Sequence, residues 1–465
     1  MKINFVYDFF SYGGRIINGI DPKYLKFLFS DNFCFKSTNI NKFKSNINHD
    51  ISFWAPSCLY NYDNSSDVTL PEIVKFHKSE LYLYPLCTSG DLFEFLSLRT
   101  KEHKTSFYYI SEKVKKLLRE HDNFYIYLEH PGEPYFSSDL LNEIYKLCLK
   151  NNIPFHKIII INGTNSNDFI LSDFKEKYGI VNTPKLVSYN WAIPFKSMEL
   201  RSKWGMEKNP QANNSTIANI NHIFGNKQKK ALLLTKRIRM HRLLLLSMLF
   251  ESNSMDDILY SLDIKMNLFP NFLEILKAEP ETLSIPVPMD YVDIISDGYN
   301  KLSKKKKVIL DYEDFESVHG FGMETKELYE NTFFSIVAET EFSKYQIAIT
   351  EKVLKPIMHC HPFVVLGSPK TLKTLKTFGF KTFDKWWDES YDTEEDDWDR
   401  LYLVNNLVKS LLDKSEDDWN LLMVEMKDIL EYNQNLLSTF DADYILNKIK
   451  ENFTDIDTKN IITIL

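Results

Sequence analysis

In the stretch FFSIVAETEFSKYQIAITEKVLKPIMHCHPFVVLGSP, Glu339 and Glu341 follow an apolar run, and Glu351 and Lys352 stand where a helical pattern begins. Carboxylates accept hydrogen bonds from sugar or ribose hydroxyls, and an ammonium can meet a phosphate. Thr350 has the type and position of a helix N-cap, which puts Glu351 and Lys352 in the first turn. A lysine there opposes the helix dipole, so an anionic ligand would give it a local reason. Lys352 and Lys355 are three apart and share a face. The competing reading makes Glu351 and Lys355 an ordinary i,i+4 surface pair. Pro356 falls in the second turn and needs accommodation.

A second cluster is LLLTKRIRMHR, where Lys236, Arg237, Arg239, His241 and Arg242 lie between a strand pattern and a helix pattern. Five potentially cationic side chains at a strand end suit a diphosphate clamp. They equally suit a basic interdomain surface or a salt-bridge network at the helix start. A third is YIYLEHPGEPY, with Glu129, His130 and Glu133 after an apolar run. A carboxylate at a strand exit could act as a general base, or be a plain loop-surface acid. Tyr7, Asp8, Gly13, Gly14 and Arg15 make the corresponding loop after the first strand pattern.

Alternating strand and helix patterns must position these groups. KINFVYDFF, ISFWAPS, LYLYPL, NFYIYLEH and HKIIIING read as strands, with ISEKVKKLLREH and DLLNEIYKLCLKNN as helices among them. The polar, Asn-rich tract 181–228 reads as a connection, and the alternation restarts at Lys229 with KKALLLT, HRLLLLSMLFES and DILYSLD. The expected fold class is α/β, with two Rossmann-like parallel-sheet domains facing an interdomain cleft. The expected division is 1–180 for an acceptor domain, 181–228 for the connection and 229–465 for a donor domain with terminal helices. In such sheets ligands gather at the carboxyl ends of the strands, where helix N-termini favour phosphate.

The chain has 465 residues and a net charge of −8, which argues against a general nucleic-acid or membrane-surface binder. Cys34, Cys58, Cys87, Cys148 and Cys360 show no C-x-x-C spacing and read as free thiols of a reducing compartment. The amino terminus carries Asp8 within its apolar run and does not read as a signal peptide. No apolar run reaches about 18 residues, so no membrane span is expected. A cytoplasmic location follows as an expectation. Lys304 to Lys307 read as a solvated face, and DTEEDDWD as a solvated helix start rather than a metal-binding D-x-D. Trp54, Trp191, Trp386 and Trp387 could stack on sugar rings, although most such aromatics are core.

Taken together, FFSIVAET, ITEKVLKP and HPFVVLGSP, followed by GFKTF and DESYD, resemble the carboxyl-terminal half of GT-B glycosyltransferases. The second half is similar to fucosyltransferase-like enzymes of family ten and their phage, bacterial and giant-virus relatives. The similarity spans about residues 229–405, and its specific part is 333–392. An R-x-H-R helix start, Arg239 to Arg242, fits the same pattern, while the family's E-N after the strand is E-T-E here. The resemblance implies a nucleotide-sugar donor on the second domain and a glycan or other hydroxyl acceptor. Glu351 would hold ribose or sugar hydroxyls, with Lys352 on phosphate. Arg237 or Arg239 would neutralise the leaving diphosphate, and Glu339 would lie near the transferred sugar. Glu133 or Glu129 is the choice for the base, assigned without a close motif match in the first half. The chemistry would be inverting, with no cofactor and no metal, because arginine and lysine supply the charge. The alternatives are a non-catalytic nucleotide- or carbohydrate-binding protein, or a transferase for which nucleic acid is the acceptor.

Overall fold

Ile158–Asn162 is four isoleucines and an asparagine, and all five residues are buried. Ala231–Thr235, Phe334–Ala338 and Phe363–Leu366 are nearly as continuous in their burial. Strands apolar on both faces belong to parallel sheets covered by helices on each side. The computed structural model describes residues 2–7, 65–69, 80–86, 107, 110, 112–130, 136–188, 190, 192–193, 196–197, 200, 217–218, 220–235, 238–262, 271–308, 310 and 326–440. It forms two wholly parallel sheets in two units, with the break between Trp191 and Ala192.

In the first unit, β1 (Lys2–Tyr7), β2 (Ser65–Thr69), β3 (Glu80–Leu86), β4 (Phe124–His130), β5 (Ile158–Asn162) and β6 (Lys185–Ser188) stand in the order β2-β1-β3-β4-β5-β6. Helices α1 (Glu112–Glu120), α2 (Ser138–Lys150) and α3 (Asn167–Tyr178) belong to this unit. The sequence reading opens a connection at residue 181, yet Lys185–Ser188 completes this sheet beside β5. Four residues between polar flanks carry too little periodicity to announce a strand.

In the second unit, β7 (Ala231–Thr235), β8 (Ile258–Leu262), β9 (Phe334–Ala338) and β10 (Phe363–Leu366) stand in the order β10-β9-β7-β8. Its helices are α4 (Met240–Glu251), α5 (Phe272–Ala278), α6 (Val292–Ser303), α7 (Lys326–Glu330), α8 (Glu351–Met358), α9 (Thr371–Thr377), α10 (Asp397–Leu412) and α11 (Glu416–Thr439). Each sheet runs outward both ways from its first strand, so the order reverses between β1 and β3 and again between β7 and β9. Such reversal points open a crevice at the strand carboxyl ends. The architecture is α/β with two Rossmann-like sheets, as the sequence pattern predicts.

Helix α4 is buried from His241 to Phe250 and starts beside the β7–β9 reversal. It lies hard against α6 at Gly298, where an added Cβ would stand 1.8 Å from the Ser247 carbonyl oxygen. The obstruction is backbone, so the helices must separate. Gly298→Ala is expected to destabilise the protein by about 3 kcal/mol. Thermal unfolding checks this, and an unchanged midpoint would refute the close approach.

Among the described residues, no helix is long and apolar enough to cross a membrane. Cys148 and Cys360 are free and buried, and burial pushes both thiols up, Cys360 to about 12.

Candidate functional site

The carboxyl end of β9 holds the centre of the site. Glu339 follows the strand directly and is 2% exposed. Its Oε2 accepts from the Thr350 hydroxyl at 2.5 Å and from the Thr340 backbone N–H at 3.2 Å, while Oε1 has no hydrogen-bond partner. Burial raises the pKa of this carboxyl, and the Lys352 charge opposes the rise. A buried carboxylate with one unsatisfied oxygen is costly, which marks it as a group kept for something other than stability.

Helix α8 supplies the next groups. Thr350 is its N-cap and accepts from the Lys352 backbone N–H. One hydroxyl thus receives from the helix and donates to Glu339. The Lys352 ammonium donates to Glu351 Oε1 at 2.7 Å and to Thr340 Oγ1 at 2.9 Å. Burial pushes the Glu351 carboxyl up, but Lys352 and Lys355 outweigh it and hold the group down at about 2. Glu351 is therefore an anion paired with Lys352, and Lys355 adds to the field that holds it ionised.

The basic cluster before α4 divides. Arg239 is half-exposed, with Nη1 3.5 Å from Glu341 Oε1. His241 and Arg242 turn inward: His241 Nε2 bonds the Glu339 carbonyl at 3.0 Å, and Arg242 Nη2 donates to the carbonyls of Ala338 and Glu339 at 2.8 and 2.7 Å. Strand-end carbonyls lie beyond the ladder and need donors from elsewhere. His241 is neutral here, because burial and then the neighbouring Arg242 pull it down to about 3. It carries no positive charge toward a diphosphate, which changes the part expected of it. Arg242 lies within electrostatic range of Arg239, Glu339, Glu351 and Glu341, so these groups form one neighbourhood.

The segment 340–350 closes over the strand end as a strap with three fastenings. Thr350 holds one end at Glu339. Ser368, just past β10, donates to the Gln346 carbonyl at 2.6 Å. The Phe342 carbonyl accepts from Arg400 Nη2, and its ring lies 4.1 Å from the Arg400 guanidinium and 5.0 Å from the His241 ring, stacked on the latter. Arg400 is 1% exposed and also reaches the Gly367 carbonyl, the Glu394 carbonyl and Asp397. Gly367 has little room for a side chain: a Cβ would meet Glu339 Cβ at 3.3 Å and Thr371 Oγ1 at 3.3 Å.

The structure thus brings together Glu339, Thr350, Glu351, Lys352 and Lys355 with Arg239 and His241. Lys236, Arg237 and Glu133 lie outside the described residues, as do Asp8, Gly13, Gly14, Arg15, Trp54 and Trp191. Glu129 ends up at the carboxyl edge of β4, opposite Ile161 of β5. Trp387 is buried against Phe383, and Trp386 donates to Glu425, so both have structural partners. Among the described residues no group of three or more His, Cys, Asp or Glu is placed to hold a metal ion. Asp396 caps α10 by accepting from the N–H groups of Trp398 and Asp399, in line with a helix start.

Sequence reasoning missed the parts played by Arg400 and Asp392. Asp392 accepts from the Leu372 and Lys373 N–H groups at 2.8 and 3.0 Å, capping α9, whose own N-cap Lys370 makes no side-chain cap bond. Both residues sit in an acid-rich tract, and although Arg400 also meets the nearby Glu394 and Asp397, the partners that tie it and Asp392 to other segments are distant in sequence, so no local signal identifies them as fastenings.

No family model matches the chain, and no curated protein matches it in sequence. Among solved structures it is similar to HepE of Anabaena in complex with UDP and glucose, at TM-score 0.32 and 10% identity, covering 82% of this chain and 92% of that one. It is similar also to MnaA of S. aureus with UDP, at TM-score 0.32 and 11% identity, covering 98% and 97% of the two chains.

Proposed function

We propose that the chain is a glycosyltransferase that moves a sugar, fucose or one like it, from a nucleoside-diphosphate donor to an acceptor hydroxyl. One observation carries the reading. At the carboxyl end of β9, beside the β7–β9 reversal, a buried carboxylate with an unsatisfied oxygen lies next to an ammonium in the first turn of α8. The resemblance of 333–392 to the fucosyltransferase-like pattern supports it from the sequence side.

In this reading Lys352 meets a phosphate, Arg239 neutralises the departing diphosphate, and Glu351 accepts from ribose or sugar hydroxyls. Glu339 sits toward the transferred sugar, and Thr350 fixes its carboxylate. Lys355 adds to the field that keeps Glu351 ionised. A base from the first unit, Glu133 or Glu129, would take the acceptor proton, leaving an inverted product. Fixed cations of this kind can lower the barrier by roughly 3 to 4 kcal/mol each, so the reading calls on no metal and no cofactor. A glycan is the proposed acceptor, with a hydroxyl of nucleic acid as a variant, and the proposed location is the cytoplasm.

The test is binding of UDP, GDP, ADP and TDP by calorimetry, followed by transfer assays with the matching sugar nucleotides. Lys352→Ala is expected to weaken the preferred diphosphate about 10- to 100-fold, the worth of one charge-assisted hydrogen bond. Unchanged affinity would reject the role of Lys352. Binding without turnover over a broad acceptor set would favour a non-catalytic nucleotide-binding protein.

A further inference from the structure

We propose that Glu341 determines which anions the site accepts, by occupying Arg239 until a ligand with more than one phosphate takes its place. The inference rests on the nucleoside-diphosphate reading and goes on to selectivity within it.

Two of the site's cations, Lys352 and Arg239, are held very differently. Lys352 is fixed by hydrogen bonds of 2.7 and 2.9 Å to Glu351 and Thr340. Arg239 approaches Glu341 only to 3.5 Å, an ion pair without the geometry of a good hydrogen bond, and its side chain is 46% exposed. A guanidinium in this position presents a planar fork suited to phosphate. Glu341 cannot leave with its backbone, because the strap is fastened at Phe342, Gln346 and Thr350. Its carboxylate can only swing about its own side-chain bonds. It therefore remains close to any anion that arrives.

This proximity discriminates by charge. A monophosphate exchanges one anion for another on Arg239 and then bears the repulsion of the displaced carboxylate. A diphosphate reaches Arg239 with one phosphate and keeps a second for Lys352, so it outweighs that repulsion. Glu341 thus raises the threshold for all anions, and most for those with a single phosphate.

Calorimetric titration of UDP, GDP, UMP, GMP and inorganic pyrophosphate into the full chain and into Glu341→Gln tests this. The variant is expected to bind monophosphates about tenfold more tightly and diphosphates about threefold more tightly, since like-charge juxtaposition is costly. The gains should shrink in high salt. Glu425→Gln, which removes one charge beside Trp386 and retains a hydrogen-bond acceptor, is expected to leave the ratio of diphosphate to monophosphate affinity unchanged. If the wild type binds diphosphates and Glu341→Gln leaves that ratio as it was, the inference is overturned while the nucleotide reading stands. If Glu425→Gln shifts the ratio equally, a general charge effect replaces Glu341. If the wild type binds none of the five ligands, the nucleotide reading itself fails.

Discussion

Arg400→Met is expected to cost the second unit about 3 to 5 kcal/mol, the penalty for breaking a buried, hydrogen-bonded charge network. The guanidinium holds the Gly367 carbonyl at 3.1 Å, the Glu394 carbonyl at 2.9 Å, Asp397 at 2.6 Å and the Phe342 carbonyl, with its plane against the Phe342 ring. Methionine fills the space but donates nothing, so buried carbonyls on the strap and after β10 lose their partner. Arg400→Lys keeps the charge without the fork and should recover only a small part. Equilibrium urea unfolding followed by tryptophan fluorescence measures the loss. A change under about 1 kcal/mol would show that the network contributes little net stability, as buried ion pairs sometimes do. Nucleotide affinity should fall with the strap even where the variant is still folded.

The second large effect is acid sensitivity. His222, His241 and His361 are buried and neutral. Burial, aided by Lys227, pulls His222 down to about 4, and burial with Arg242 pulls His241 to about 3. Burial and then His222 push His361 well below its usual range. Unfolded, each titrates near 6.5. A depressed folded value means that the stabilisation is complete above about 6.5 and is lost as pH falls toward the folded values. Three such groups remove about 4 kcal/mol per pH unit between roughly pH 6 and 4.5. Glu339, Glu389 and Asp392 act the other way, because burial raises them and the folded protein takes up their protons first. They return part of the loss. Urea midpoints at pH 6.5, 5.5 and 4.5 give the slope, which in His222→Gln should be smaller by about 1.4 kcal/mol per unit. An identical slope in the variant would mean that His222 is protonated in the folded protein.

Apart from β2 (Ser65–Thr69) and β6, the strands of both sheets were readable because their signal is local, while the strand reading of ISFWAPS lies outside the described residues. IIII, ALLL, FSIVA and FVVL are runs that only a doubly covered sheet buries. Thr350 was readable for the same reason, since an N-cap acts within two or three residues of itself. Direction was harder. The basic cluster before α4 reads as outward cations, yet His241 and Arg242 point inward because α4 is buried around its whole circumference and β9 leaves carbonyls bare beside it. Arg400 and Asp392 were illegible as fastenings. Each joins segments about 20 to 60 residues apart, and acids crowd their own neighbourhood. Charge pattern reports solvation by default, and only tertiary placement reverses it. The missing strand β6 failed through brevity rather than misplaced charge.

The unsatisfied oxygen of Glu339 has an evolutionary corollary. A lineage screened for heat resistance alone, with no demand on catalysis, would be free to discard that carboxylate and replace it with a neutral side chain. On the proposed reading, its persistence at such a position would then serve as a record of chemistry still under selection, and its loss in a relative would mark a descendant that has kept the architecture and given up the proposed transfer.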